Sequence, residues 1–142
     1  MNRMLDGVTH SGEGLFLLLG RLAIAALYLP SGYGKLTGPA GFAGYLASKG
    51  VPGPAIAWAV LAGAIEFFAA AAIVAGFQTR LAAALLCLFT IVAAFIGHSY
   101  WGITDAAARM PQYIHFWKDI AIAGGLLFVF VRGAGAISID RR

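Results

Sequence analysis

The chain has 142 residues, 61% of them hydrophobic and 11% charged, with a mean hydropathy of +0.83. That length allows one domain, and that composition excludes a soluble globular protein: the solvent must be largely lipid. The net charge of +4 is spread along the chain without a basic run or an interleaved aromatic patch, which excludes a nucleic-acid binder and fits contact with a membrane surface.

Residues 1–13 read as a polar tail without a motif. Asp6 and Glu13 within it, and Arg21 interrupting the apolar run that follows, do not fit a cleaved signal peptide. The first span covers 14–35, GLFLLLGRLAIAALYLPSGYGK, with Pro30, Gly32 and Gly34 expected to kink or fray its far end. Arg21, Tyr28, Gly32 and Lys35 fall at offsets that place them on one helical stripe if the helix survives Pro30. Alternatively, Arg21 snorkels to the nearer interface and Lys35 simply ends the span. Between the first and second spans, Gly and Pro punctuate a loop in which GFAGYLASKG reads as a short amphipathic helix on the membrane surface.

The second span, 54–76, is apolar except for Glu66 near its middle. A hydrocarbon core about 30 Å thick takes roughly 20 helical residues to cross, and this run fits. A carboxylate near the midplane is tolerable only if it is paired, protonated or wetted, so Glu66 is a structural ion pair, a neutral hydrogen-bonded acid or a functional group. Gly76 is a candidate C-cap, and Thr79–Arg80 opens the next helix after a tight turn. The third span, 81–101, ends on His98 with Tyr100 and Trp101 as interfacial anchors. It holds the single cysteine, Cys87, which has no partner for a disulfide or CxxC motif and reads as a buried structural thiol. A loop, GITDAAARMPQ, leads to the fourth span, 113–131, whose first turns carry His115, Lys118 and Asp119 and whose Gly124–Gly125 pair offers a close helix contact. Residues 133–142 form a glycine-rich and then basic tail, so the transmembrane domain is 14–132.

These elements predict an all-α, polytopic, antiparallel four-helix transmembrane bundle with both termini on one side. Arg3, Arg80, Arg132, Arg141 and Arg142 on the terminal side, against Lys35, Lys49, Arg109 and Lys118, lean toward cytoplasmic termini. Counted from the span ends, Arg21 and Glu66 come to similar depth, which predicts a buried Arg21–Glu66 pair. Lys35, His98, His115, Lys118 and Asp119 all fall toward the other face, and His115, Lys118 and Asp119 share a helical surface. A pocket opening there with Arg21 and Glu66 at its floor follows, unless these charges merely sit at headgroup level. Such a pocket suits a quinone head group, whose carbonyl oxygens need donors and whose reduction needs two protons. It suits another amphiphilic anion equally. Spacing gives little support to haem at His98 and His115, or to a metal at His98, His115 and Asp119.

The segments GRLAIAALYLPSGYGKL, GF…KGVPGP, AIEFFAAAAIVAGFQTRLAAALL, His98 and the closing GAGAISID, in this order and spacing, resemble the DoxX family of small bacterial four-helix membrane proteins. The family pattern covers Arg21, Lys35, Glu66, Arg80, His98 and Asp140, and FWKDIAIAGGLL is similar to its segment around Lys118 and Asp119. The resemblance implies an inner-membrane protein linked to thiosulfate:quinone oxidoreductase, oxidative-stress complexes or quinone detoxification. On that expectation Glu66 and His98 are catalytic, while Arg21, Tyr28, Lys35, His115, Lys118 and Asp119 bind substrate. Quinone would be the co-substrate, no metal would be held, and the partners would be the lipid bilayer, a soluble or membrane redox partner, and a second copy of the chain. The lone Cys87 argues against a thiol relay within the chain. A carrier for a small amphiphile and a structural anchor for a soluble redox protein are the other readings.

Overall fold

A computed structural model of the chain describes residues 2–140, with side chains described from Gly12 onward. Its helices are α1 (Asn2–Thr37), α2 (Pro39–Ser48), α3 (Ala55–Ala75), α4 (Thr79–Gly97) and α5 (Ala106–Arg132). Stretches of α1, α3, α4 and α5 are long and apolar enough to cross a membrane. Among the described residues there is no strand, and the chain is a polytopic four-helix membrane bundle with an added short helix.

The bundle packs as its solvent requires. Large apolar side chains such as Phe16, Phe68, Leu81, Leu88 and Phe128 face outward, while the core is largely alanine: Ala25, Ala59, Ala70, Ala83, Ala94 and Ala123, filled in by Ile73, Leu86 and Leu126. Between helices in lipid, small residues let backbones approach and gain dispersion contacts that larger chains would block. α1 packs chiefly against α3 and α4 against α5, α3 and α4 join the two pairs, and α1 touches α5 only lightly. The closest crossing is at Gly32 and Gly63. A Cβ on Gly32 would sit 2.6 Å from the Phe67 nitrogen, and one on Gly63 would sit 2.9 Å from the Cβ of Lys35. The close contact expected at Gly124–Gly125 is not there, since a Cβ on either meets nothing within 4 Å.

The helix survives Pro30, which lies inside α1. Pro30 itself is exposed, and the packing of α1 on α3 holds the helix in line across the lost backbone bond. The expected polar tail is helical from Asn2, so α1 is much longer than the bilayer needs. α5 begins at Ala106 rather than Tyr113. Asp105 caps it by accepting from the Ala108 nitrogen at 2.7 Å, and AAARM continues the helix into Pro111.

The segment after α5 is tucked in rather than trailing. Ile139 and Asp140 donate backbone N–H groups to the carbonyls of Ala75 and Gly76 at 3.1 and 2.8 Å. The Asp140 carboxylate accepts from the nitrogens of Gln78 and Thr79, both at 3.1 Å, and from the Thr79 hydroxyl. It thus caps α4 from the far end of the chain. Gly76 takes φ 68° as the expected C-cap, and a side chain there would collide with Ser138.

Replacing Gly63 by leucine is expected to force α1 off α3 and cost about 1–3 kcal/mol, as overpacking does. The thermal midpoint in detergent should fall. Gly20→Ala, where a Cβ meets nothing within 4 Å, should leave it unchanged. Equal midpoints for Gly63→Leu and the parent chain would show that the two helices are not in close contact.

Candidate functional site

The Gly32–Gly63 crossing decides which side chains meet in the middle of the bundle. With α1 and α3 in contact there, Lys35 stands opposite Glu66. Its Nζ lies 2.7 Å from Glu66 Oε2 and 2.6 Å from Ser31 Oγ, and 4.6 Å above the centre of the Phe42 ring. The two side chains are 13% and 8% exposed, so the pair is nearly dry. The ammonium thus has two hydrogen-bond acceptors and an aromatic face around it.

The expected Arg21–Glu66 pair does not form. Arg21 lies roughly 20 Å further along α1 from Lys35, at 1.5 Å per residue, and meets the other end of α3. There its Nη1 donates to the carbonyls of Ile73 and Val74 at 3.1 and 3.2 Å, and its Nη2 to the carbonyl of Ile137. Of these last-turn carbonyls, that of Ile73 also accepts from the C-cap Gly76 nitrogen at 3.2 Å; both carry the negative end of the helix dipole, so a buried cation suits them. Arg21 is 1% exposed and ties α1, α3 and the C-terminal segment together, away from Glu66.

Lys35 and Glu66 line a cavity of about 530 Å³ in the half of the bundle away from the termini. Its walls are mostly apolar, with Leu27, Phe42, Trp58, Phe89 and Ile96 among them. Its floor is a bond between helices whose backbones stand apart: Tyr28 Oη of α1 lies 2.5 Å from Thr90 Oγ1 of α4. Thr90 gives its own proton to the Leu86 carbonyl at 2.6 Å, so Tyr28 is the donor. Toward the termini from this floor, Ala70, Ile73, Ala83, Leu86 and Leu126 are fully buried.

A second acid–base pair closes the other end. His98, just past the last residue of α4, places Nδ1 2.8 Å from Gln112 Oε1 and Nε2 3.8 Å from Asp119 Oδ2. Gln112 Oε1 accepts, so Nδ1 carries a proton, and Nε2 faces the carboxylate from beyond direct hydrogen-bond reach. The His115 ring stacks on His98, with centres 5.0 Å apart and planes 24° apart. Haem ligands would instead have to point ring nitrogens at one iron from opposite sides. Among the described residues no three His, Cys, Asp or Glu side chains are grouped to hold a metal. Tyr45 of α2 covers this end by donating to the Gly97 carbonyl at 3.0 Å. Burial, with Asp119 nearby, pushes its hydroxyl above the ordinary tyrosine value, so it stays a donor.

Of the residues singled out in the sequence, Tyr28, Lys35, Glu66, His98 and Asp119 line this one cavity. His115 stacks behind His98, Lys118 is exposed on α5, and Arg21 lies at the opposite end. Ser31, Phe42, Tyr45, Trp58, Thr90 and Gln112 were not anticipated. Thr90 carried a signal, as a hydroxyl deep in an apolar run. Ser31 carried one too, a turn before Lys35. Cys87 is free and buried, its thiol 3.5 Å from the Ala123 carbonyl.

Residues 16–99 match the DoxX family model, which runs from the first span to just past His98. The inner membrane protein YphA of Escherichia coli is 42% identical over 128 residues, 90% of each chain. The inner membrane protein YqjF of the same organism is 36% identical over 129 residues, 91% of this chain and 92% of that one. A Surfeit locus protein 4 homolog of Schizosaccharomyces pombe is 29% identical over 135 residues, 94% of this chain but 39% of that protein. No solved structure matches the chain.

Lys35→Met leaves the Glu66 carboxylate buried without its partner and is expected to cost about 3–5 kcal/mol. The double variant Lys35→Met/Glu66→Gln removes both charges and should recover most of that loss. Unfolding midpoints in detergent measure both. Equal losses in the single and double variants would mean that the two side chains are not paired.

Proposed function

We propose that this chain, which belongs to the DoxX family, binds a quinone-like head group between its two acid–base pairs and serves as the membrane subunit of a quinone-linked oxidoreductase. The observation that carries this reading is one cavity, mostly apolar, with Lys35–Glu66 and His98–Asp119 both on its wall. A ligand pocket of a few hundred cubic ångströms with few polar groups is suited to a flat apolar ring whose polarity is confined to its oxygens.

In this reading Lys35 donates to one carbonyl oxygen, and Glu66 exchanges a proton with the ligand through Lys35. His98, with Asp119 beside it, donates to the other oxygen. Reduction to the quinol takes up two electrons and two protons. The electrons would come from a redox partner, because Cys87 is buried, alone and not part of a dithiol. Arg21, placed outside the cavity, positions helices rather than binding the ligand.

Two further points bear on the alternatives. A carrier needs a passage to the terminal face, where Ala70, Ile73, Ala83, Leu86 and Leu126 fill the bundle. Lys35 is paired inside the bundle and not free in a loop, so it drops out of the topological balance of basic residues. That leaves Lys49, Arg109 and Lys118 against the arginines of the terminal side, and we place the termini in the cytoplasm.

The test is a titration of a benzoquinone into the purified chain in lipid nanodiscs, read by quenching of tryptophan, since Trp58 lines the cavity. Saturable quenching is expected, and Lys35→Met/Glu66→Gln should weaken it at least about tenfold, which is 1.4 kcal/mol. A folded double variant that binds as tightly as the parent would remove these residues from the site. No binding by the parent chain, with a soluble protein co-purifying, would favour the anchor reading.

A further inference from the structure

We infer, building on the quinone reading above, that the cavity fills sideways from the bilayer through the crevice between α3 and α4, and that its ligand is therefore an amphiphile whose tail stays in lipid. α3 and α4 are tied at the terminal face. The short turn through Phe77 and Gln78 joins them there, and Asp140 bonds both the end of α3 and the start of α4. Among the described residues no hydrogen bond joins the two helices nearer their other ends, where the cavity lies.

Ala62 and Trp58 of α3 and Val92 and Ile96 of α4 line the cavity along this crevice. Trp58, Val92 and Ile96 are also 43%, 48% and 37% exposed; Leu27 of α1 and Tyr45 of α2 line the cavity and are exposed as well, so three of these five lie on α3 and α4. These three sit in helices long and apolar enough to cross a membrane, Val92 well inside α4 and Trp58 and Ile96 near helix ends, and we assign what they expose to the bilayer. Side chains that line a cavity and face lipid at once mark where the one opens into the other. Toward water the same end is covered by α2, latched by Tyr45 to Gly97, with the Trp58 indole donating to the Pro52 carbonyl at 3.0 Å. The polar groups lie deeper, at Lys35, Glu66 and His98, and the crevice offers only hydrocarbon and an aromatic edge. This arrangement recognises a polar head on an apolar tail, with the head inward and the tail left in the membrane.

The experiment compares two probes, a benzoquinone without a tail and the same ring with a decyl tail, on the full chain in nanodiscs, with affinities corrected for partition into lipid. Val92→Trp narrows the crevice on the exposed side of α4, about 9 Å along the helix from His98. It should weaken the decyl form at least about tenfold more than the tail-less form. Equal effects on both probes, or no effect on the decyl form, would overturn the sideways route. A second measurement uses the parent chain alone: a decyl quinone with a photoreactive group at the tail end, and mass spectrometry of the labelled peptides. Labels on the α3 and α4 residues at the crevice support the inference, and labels confined to α1 or α5 overturn it. If neither quinone binds the parent chain, the quinone reading itself fails and this inference goes with it. If the tail-less form binds but the crevice tests fail, only the route is wrong.

Discussion

A carboxylate in the middle of a membrane-crossing helix needs a partner, and the rest of this molecule is arranged so that Glu66 has one. The partner is Lys35, and the two meet only because Gly32 and Gly63 let α1 and α3 cross at backbone distance. In surroundings of low dielectric the attraction between such charges is large, but the cost of drying them is of the same order. The pair therefore adds little net stability. Its effect is to fix the register of α1 on α3, since a slip of one turn would strand both charges. The same register carries Arg21 to the far end of α3, where last-turn carbonyls need a donor.

From this register follow two unlike halves. Near the termini the bundle is closed: alanines interlock, Arg21 and the C-terminal segment satisfy the end of α3, and Asp140 caps α4. Glu13 and Arg132 pair across α1 and α5 at the same end, though this exposed pair contributes little energy. Away from the termini α1 and α3 stay in contact at Gly32 and Gly63, while α1 and α4 stand apart, bridged by the Tyr28–Thr90 hydrogen bond. The space between them is the cavity. A packed half holding an open half in shape is what a binding site requires, because the ligand then meets groups already in position.

Much of this was legible in the residues. The spans follow from hydropathy and length, and the chain's polar residues in apolar runs marked Tyr28, Lys35, Glu66, His98 and Asp119, all of which line the cavity. Depth was not legible. Counting from the start of an apolar run put Arg21 level with Glu66, but helix depth is set by where small residues permit a crossing, and Gly32 and Gly63 are ordinary glycines in a glycine-rich chain. The role of α2 was also hidden, because a short helix with apolar residues all round looks the same on a membrane surface as it does folded over a cavity. Asp105 signalled the early start of α5 as an N-cap, yet Pro111 concealed it. Asp140 resembled the end of a tail, since its partners at Gln78 and Thr79 lie far back along the chain.

The account rests on a small molecule occupying the cavity beside Lys35 and Glu66. The direct measurement is mass spectrometry of the chain released intact from native lipid, comparing the parent with Lys35→Met/Glu66→Gln. The account predicts a quinone-class molecule retained by the parent and lost from the folded double variant. Retention of the same molecule by both, or its absence from the parent, would contradict it.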